Sequence, residues 1–112
     1  MNRIAQFEKI SFGQFLKDFM DSFEFDCTKA NNIELLKTSW SNIKLPTRGT
    51  INSAGYDLIT PVNFTLKPGE TVKIPTGIRC KMDSNWVLTI HPRSSLGFKY
   101  QIGLANTTGI ID

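Results

Sequence analysis

Gly77-Ile78-Arg79-Cys80-Lys81-Met82, followed after a short polar break by Trp86-Val87-Leu88-Thr89-Ile90, is the stretch on which the fold class turns. In the first run apolar and polar residues alternate, which sets Ile78, Cys80 and Met82 on one face of a strand. The second run is rich in β-branched and aromatic residues and is stopped by Pro92. Working outward, Thr71-Val72-Lys73-Ile74 alternates in the same way. It follows Lys67-Pro68-Gly69-Glu70, whose Pro-Gly pair marks a turn. Further upstream lie Phe64-Thr65-Leu66, Tyr56-Asp57-Leu58-Ile59 ahead of Pro61, and Ile43-Lys44-Leu45 ahead of Pro46. Many short strands at close spacing predict a mainly-β domain over residues 42–112, an all-β barrel or jelly roll.

Residues 1–41 differ in character and read as a helical extension. Ser11 with Gln14 fits a capping box, and Ile10 with Phe15 fits a hydrophobic staple. Phe12, Phe15, Leu16, Phe19, Met20 and Phe23 then recur at helical spacing as one apolar stripe, expected to pack on a core. A second helix is predicted over 31–40, with Ile33, Leu36 and Trp40 on one side and Asn31 or Asn32 as its cap.

Composition narrows the function classes. Of 112 residues 40% are hydrophobic and 21% charged, as in a soluble globular chain. A core of this size is only marginally stabilising, so oligomerisation or further C-terminal structure would help. Thirteen Lys and Arg stand against ten Asp and Glu, for a net charge of +3. Without a dense basic patch this argues against nucleic acid. The single histidine, His91, excludes a His-rich metal site. Cys27 and Cys80 lie far apart with no CxxC spacing, and two free thiols in a cytoplasmic protein is the preferred reading over a disulfide. Neither a secretory apolar segment nor a membrane-length run is present. The chain ends at Asp112 straight after an apolar strand, which suggests that further structure belongs after it.

Three segments carry residues suited to chemistry. In Ala54-Gly55-Tyr56-Asp57-Leu58 an acid sits inside a strand pattern just after a flexible Gly; a turn Asp capping its own loop is the plainer reading. In Pro92-Arg93-Ser94-Ser95-Leu96-Gly97 a guanidinium and two hydroxyls could gather an anion, against an ordinary polar turn. In Asn106-Thr107-Thr108-Gly109-Ile110-Ile111-Asp112, Asn106 offers a donor and an acceptor, the pattern of a nucleobase edge. There Gly109 would permit close approach or a bulge. Asp112, in an apolar setting, is a candidate general base, against a solvated chain end.

Taken in order and spacing, the three segments resemble the first three motifs of the trimeric-type dUTP diphosphatase (dUTPase) family. The resemblance covers about Ile43 to Asp112, and the separation of Arg93 from Asn106 matches it. It implies a jelly-roll fold, a homotrimer, and hydrolysis of dUTP to dUMP and pyrophosphate with Mg²⁺ on the triphosphate. Carried over position by position, Asp112 matches the base that activates water for attack on the α-phosphorus. Arg93, Ser94 and Ser95 match the phosphate-binding segment. Asp57 matches an acid that holds that arginine or a metal-bound water in place, with no direct metal ligand implied. Asn106 would pair with uracil, and the backbone of Gly109, Ile110 and Ile111 would line base and deoxyribose.

The pattern also stops short. The family's third motif continues past its Asp with another Asp and a Tyr, and a fourth and fifth motif follow. The expectation is therefore that this chain alone turns over dUTP poorly. Two alternatives stay open: a relative of dCTP deaminase, which shares the Arg-Ser-Ser-Leu-Gly segment, and a non-catalytic nucleotide- or partner-binding fragment. If the Phe-rich stripe were a partner surface, some of its phenylalanines should be exposed.

Overall fold

The computed structural model describes residues 3–26 and 28–112. In chain order the elements are β1 (Ala5–Lys9), α1 (Phe12–Ser22), α2 (Ala30–Ser41), β2 (Ile78–Met82), β3 (Leu88–Ile90), α3 (Ser94–Tyr100) and β4 (Gly109–Ile111). β1 neighbours β2 in one two-stranded sheet, and β3 neighbours β4 in another. The chain divides into two compact units, one of Met1–Gln6 with Lys81–Asp112 and the other of Phe7–Cys80.

In the second unit α1 begins where local chemistry says it should. The Ser11 side chain accepts from the Gln14 amide at 3.2 Å and takes up one of the helix's orphan donors. The phenylalanines of the stripe face inward, with Phe15 fully buried and Phe12, Phe19 and Phe23 half-buried, while Met20 stands exposed. Phe19 stacks edge-on with Phe25 and lies tilted on Phe23, at centroid distances of 5.2 and 4.9 Å. None of these four phenylalanines forms an exposed patch, so the core reading of the stripe holds. Phe15 lies beside Gly77. A Cβ there would meet Ile43 Cδ1 at 2.5 Å and Phe15 Cδ1 at 3.5 Å, and Gly77 also has φ +72°, so only glycine suits the position. The Gly77 carbonyl accepts from the Ile10 amide at 3.0 Å.

Trp40, at the end of α2, holds the same corner. Its indole N–H donates to the Ile10 carbonyl at 2.9 Å, its ring meets Phe12 edge-on at 5.9 Å, and Lys9 Nζ lies 4.8 Å from the ring centre. The other deeply buried apolar side chain, Leu36, is also on α2. Glu8 and Arg79 pair at 2.9 Å, an exposed ion pair of small energetic weight.

Several elements differ from the sequence expectation. Residues 5–9 are a strand and not part of a helical run, because they find a partner in β2, some seventy residues onward. The cap of α2 is Lys29, without a side-chain bond, in place of Asn31 or Asn32; Nδ2 of the Asn32 side chain instead donates to the Asp26 carbonyl at 3.1 Å. The runs 43–45, 56–59, 64–66 and 71–74 form no named strand, and only a bridge between Thr47 and Asp57 marks that region. Val72 and Ile74 are half-buried while Thr71 and Lys73 are exposed, so the alternation survives without a ladder. The Pro-Gly turn is present: Gly69 has φ +82°, and the Glu70 amide donates to the Lys67 carbonyl at 3.0 Å. Strands and helices coexist, and among the described residues no barrel closes. The reading of two separate thiols involves Cys27, which lies outside the described residues. No helix among the described residues is long and apolar enough to cross a membrane.

Candidate active site

Asp57 belongs to the unit Phe7–Cys80, and the other candidate residues belong to the unit that holds Lys81–Asp112. Asp57 closes a loop. Its amide donates to the Thr47 carbonyl at 2.8 Å, in an antiparallel bridge between the two residues. Inside the loop, Ser53 Oγ accepts from the Thr50 amide at 2.9 Å, and the Ser53 amide donates to the Thr50 carbonyl at 3.1 Å. Arg48 donates to the Ser53 carbonyl at 3.2 Å, and its guanidinium carbon lies 5.1 Å from the Tyr56 ring centre. Phe7 of β1 meets the same Tyr56 ring at 5.6 Å with an interplanar angle of 62°. The backbone of Gly49 leaves room for the Asp57 carboxylate: a Cβ there would stand 3.4 Å from Oδ2. Sequence reasoning singled out Asp57 but not Arg48 or Phe7. A turn-rich stretch was visible, but a contact from β1 leaves no trace in local composition.

In the other unit, Arg93 is the N-cap of α3, and Ser94 and Ser95 open that seven-residue helix. The Arg93 carbonyl accepts from the Leu96 amide at 3.0 Å. All three side chains are exposed. The helix itself was not foreseen, because about two turns give too few residues for a period to show. It ends on Gln101 in the left-handed region, φ +54°, whose amide donates to the Gly97 carbonyl.

The chain then reaches Asn106. The Thr107 amide donates to the Leu104 carbonyl at 3.1 Å, and the Thr108 amide donates to the Asn106 carbonyl at 2.7 Å. Thr107 carries φ +67° between them. A β-branched residue in this region is strained, and a three-residue turn of this sign is rare. Asn106 stands exposed at its start. β4 follows and pairs antiparallel with β3, in the register Leu88 with Ile111, Thr89 with Ile110 and Ile90 with Gly109. Close approach at Gly109 is real, and the neighbour is Ile90: a Cβ on Gly109 would stand 3.3 Å from the Ile90 Cβ. Asp112 directly follows the strand. Its setting is not apolar as expected, since Asp112, Ile110 and Ile111 are all exposed. The hairpin-like pairing of β3 and β4 thus carries Gly109, Ile110 and Ile111 in one short strand and leads straight into the carboxylate.

The dUTPase family model matches residues 41–112. The chain belongs to the dUTPase family. A relative described as deoxyuridine 5'-triphosphate nucleotidohydrolase, from Shewanella piezotolerans, is 49% identical over 71 residues, covering 61% of this chain and 47% of the relative. One with the same description from Polynucleobacter necessarius subsp. necessarius is 44% identical over 72 residues, 62% of this chain and 48% of its own length. In Haemophilus influenzae the like-named relative is 41% identical over 88 residues, 75% of this chain and 58% of the relative. The chain therefore spans about half the length of the curated dUTPase relatives that it matches. No solved structure matches it.

Proposed function

We propose that this chain carries the first part of a dUTP diphosphatase active site, acting on dUTP to give dUMP and pyrophosphate. The observation that supports this most is the family match over 41–112, which spans all three candidate segments. In this reading Asp112 accepts a proton from the water that attacks the α-phosphorus, the new bond being water oxygen to phosphorus and the broken one leading to pyrophosphate. Arg93, Ser94 and Ser95 bind the triphosphate. Arg93 supplies a permanent charge and a planar fork for phosphate oxygens, and the two hydroxyls add donors. Asn106 pairs with the uracil edge, while the Gly109–Ile111 backbone lines base and sugar. Cytosine presents the opposite pattern and would leave groups unpaired. Asp57 acts from the first motif, holding the arginine or a metal-bound water.

Among the described residues no three His, Cys, Asp or Glu side chains gather as a metal cage. In this reading Mg²⁺ arrives on the triphosphate, with no direct protein ligand and Asp57 near a metal-bound water. The reading extends to a cytoplasmic homotrimer in which residues 42–112 form part of a mainly-β jelly roll and residues 1–41 an N-terminal helical extension. The exposed strand β4 and the alternation at 71–74 support the β part of this reading.

Pyrophosphate release from dUTP, followed with Mg²⁺ and with dCTP and dTTP as controls, tests the activity. The expected result is slow turnover, confined to dUTP among the three nucleotides, with Asp112→Asn slower still by at least about 100-fold, the scale of a lost general base. Ammonia release from dCTP would sink it, as would equal rates for the variant. Sedimentation at three times the 12.6 kDa chain mass is the outcome expected of a trimer.

A further inference from the structure

The Tyr56 ring, next in sequence to Asp57, is half exposed yet touched from two sides. Phe7 meets it edge-on at 5.6 Å, and the Arg48 guanidinium lies over it at 5.1 Å. Arg48 at the same time ties down Ser53, the residue that closes the inner turn of the loop. Thr47 and Asp57 pair at the loop's mouth. The backbone leading into Asp57 is therefore set by contacts made through its preceding neighbours. One of these contacts comes from β1, which lies outside the stretch that the family model matches.

We propose that Phe7 and Arg48 are positioning residues for Asp57: together they clamp Tyr56 and hold the Thr47–Asp57 loop in one conformation. The inference rests on the proposed role of Asp57, and it assigns a task to the N-terminal strand. The edge-on pair and the cation–ring contact are each of moderate strength. Neither is deep in a core, so losing one should loosen the loop without unfolding the unit. Arg48 cannot be replaced by lysine at no loss, because lysine lacks the planar fork that reaches Ser53 while covering the ring.

The test uses the whole chain and two independent readouts. The first is amide hydrogen exchange at Asp57, whose N–H is bonded to Thr47. Phe7→Ala and Arg48→Ala are each expected to speed this exchange by about three- to tenfold, the scale of one such contact. Exchange at Phe15 in α1 and at its C-cap Phe23 should stay unchanged. Phe7→Tyr, which keeps the ring edge, should restore the parent rate. The second readout is turnover of dUTP, expected to show a fall in kcat with KM little changed. Unchanged exchange at Asp57 would overturn the inference. So would a uniform rise across α1 and the loop, which signals plain destabilisation, or failure of Phe7→Tyr to restore protection. Failure to bind dUTP would count against the proposed function, while the exchange data decide by themselves whether the clamp exists.

Discussion

Single residues do most of the work of holding this small chain. Phe15 is the clearest case, at 0% exposure and in contact with the glycine turn at Gly77. Its removal leaves a cavity that its neighbours cannot fill, since Gly77 has no side chain and Ile43 is already against that backbone. Phe15→Ala should cost about 3–5 kcal/mol, read from urea unfolding of the two chains side by side. A cost below roughly 1 kcal/mol, typical of a surface change, would show that the site collapses or was never packed. Glycines at 77 and 109 illustrate two different demands. Gly77 combines positive φ with crowding, whereas Gly109 is needed only because Ile90 stands opposite it in the ladder. The left-handed Thr107 is the residue with the least local reason for its conformation, and it sits between Asn106 and the strand that leads to Asp112. Strain of this kind is held by the bonds on either side and commonly accompanies functional turns.

At the scale of elements, the connection between α1 and α2 shows how charge and local bonding combine. The Asp26 carboxylate accepts from the Thr28 hydroxyl at 2.6 Å and from the Thr28 amide at 3.0 Å. These two bonds, the hydroxyl's first, hold its pKa below the ordinary aspartate range. Because the folded value lies below the unfolded one, the stabilisation is present above the unfolded pKa and is lost as pH falls through the folded pKa. Thr28→Val keeps the amide and removes the hydroxyl, so the Asp26 midpoint in a carboxyl NMR titration should move upward. An unmoved midpoint would mean the hydroxyl bond does not form in solution. Element by element, legibility in the sequence follows range. The start of α1 was readable because Ser11 and Gln14 are three residues apart and need nothing else. β2, β3 and β4 were readable from their alternation and β-branched content. β1 was not, since Ala5-Gln6-Phe7-Glu8-Lys9 becomes a strand only through β2. The apolar runs at 43–45 and 64–66 looked equally strand-like, yet no neighbouring chain supplies them a ladder. A strand is a property of two segments, and a periodic pattern describes only one.

For the molecule as a whole, the position of the buried side chains is the decisive feature. Among the described residues, the deeply buried apolar side chains Phe15 and Leu36 both come from the part that precedes the family match. Residues 42–112 alone would keep Ile43 and Gly77 but lose what packs on them. That fragment is expected to show no cooperative thermal transition by circular dichroism, whereas the 112-residue chain should show one. A sharp transition in the fragment would show that the N-terminal elements are an accessory to a self-sufficient domain. Many apolar side chains also stand exposed, Phe98 and Ile51 the most, at 90% and 88%. Surface of this kind is consistent with the assembly proposed above, because a chain of this length leaves much of its apolar area uncovered when alone.

The candidate residues Asp57, Arg93, Ser94, Ser95, Asn106 and Asp112 were picked out in the linear sequence by their spacing, because reaction chemistry restricts residue type and order. Local capping and the Pro-Gly turn were legible for a similar reason: their partners are a few residues away. What surrounds those residues was decided by tertiary structure. That Ile90 would press on Gly109, and that Phe7 and Arg48 would share the Tyr56 ring, depends on segments separated in sequence meeting. Such meetings follow the pairing of β1 with β2 and of β3 with β4, and neither is written in any one window of the chain.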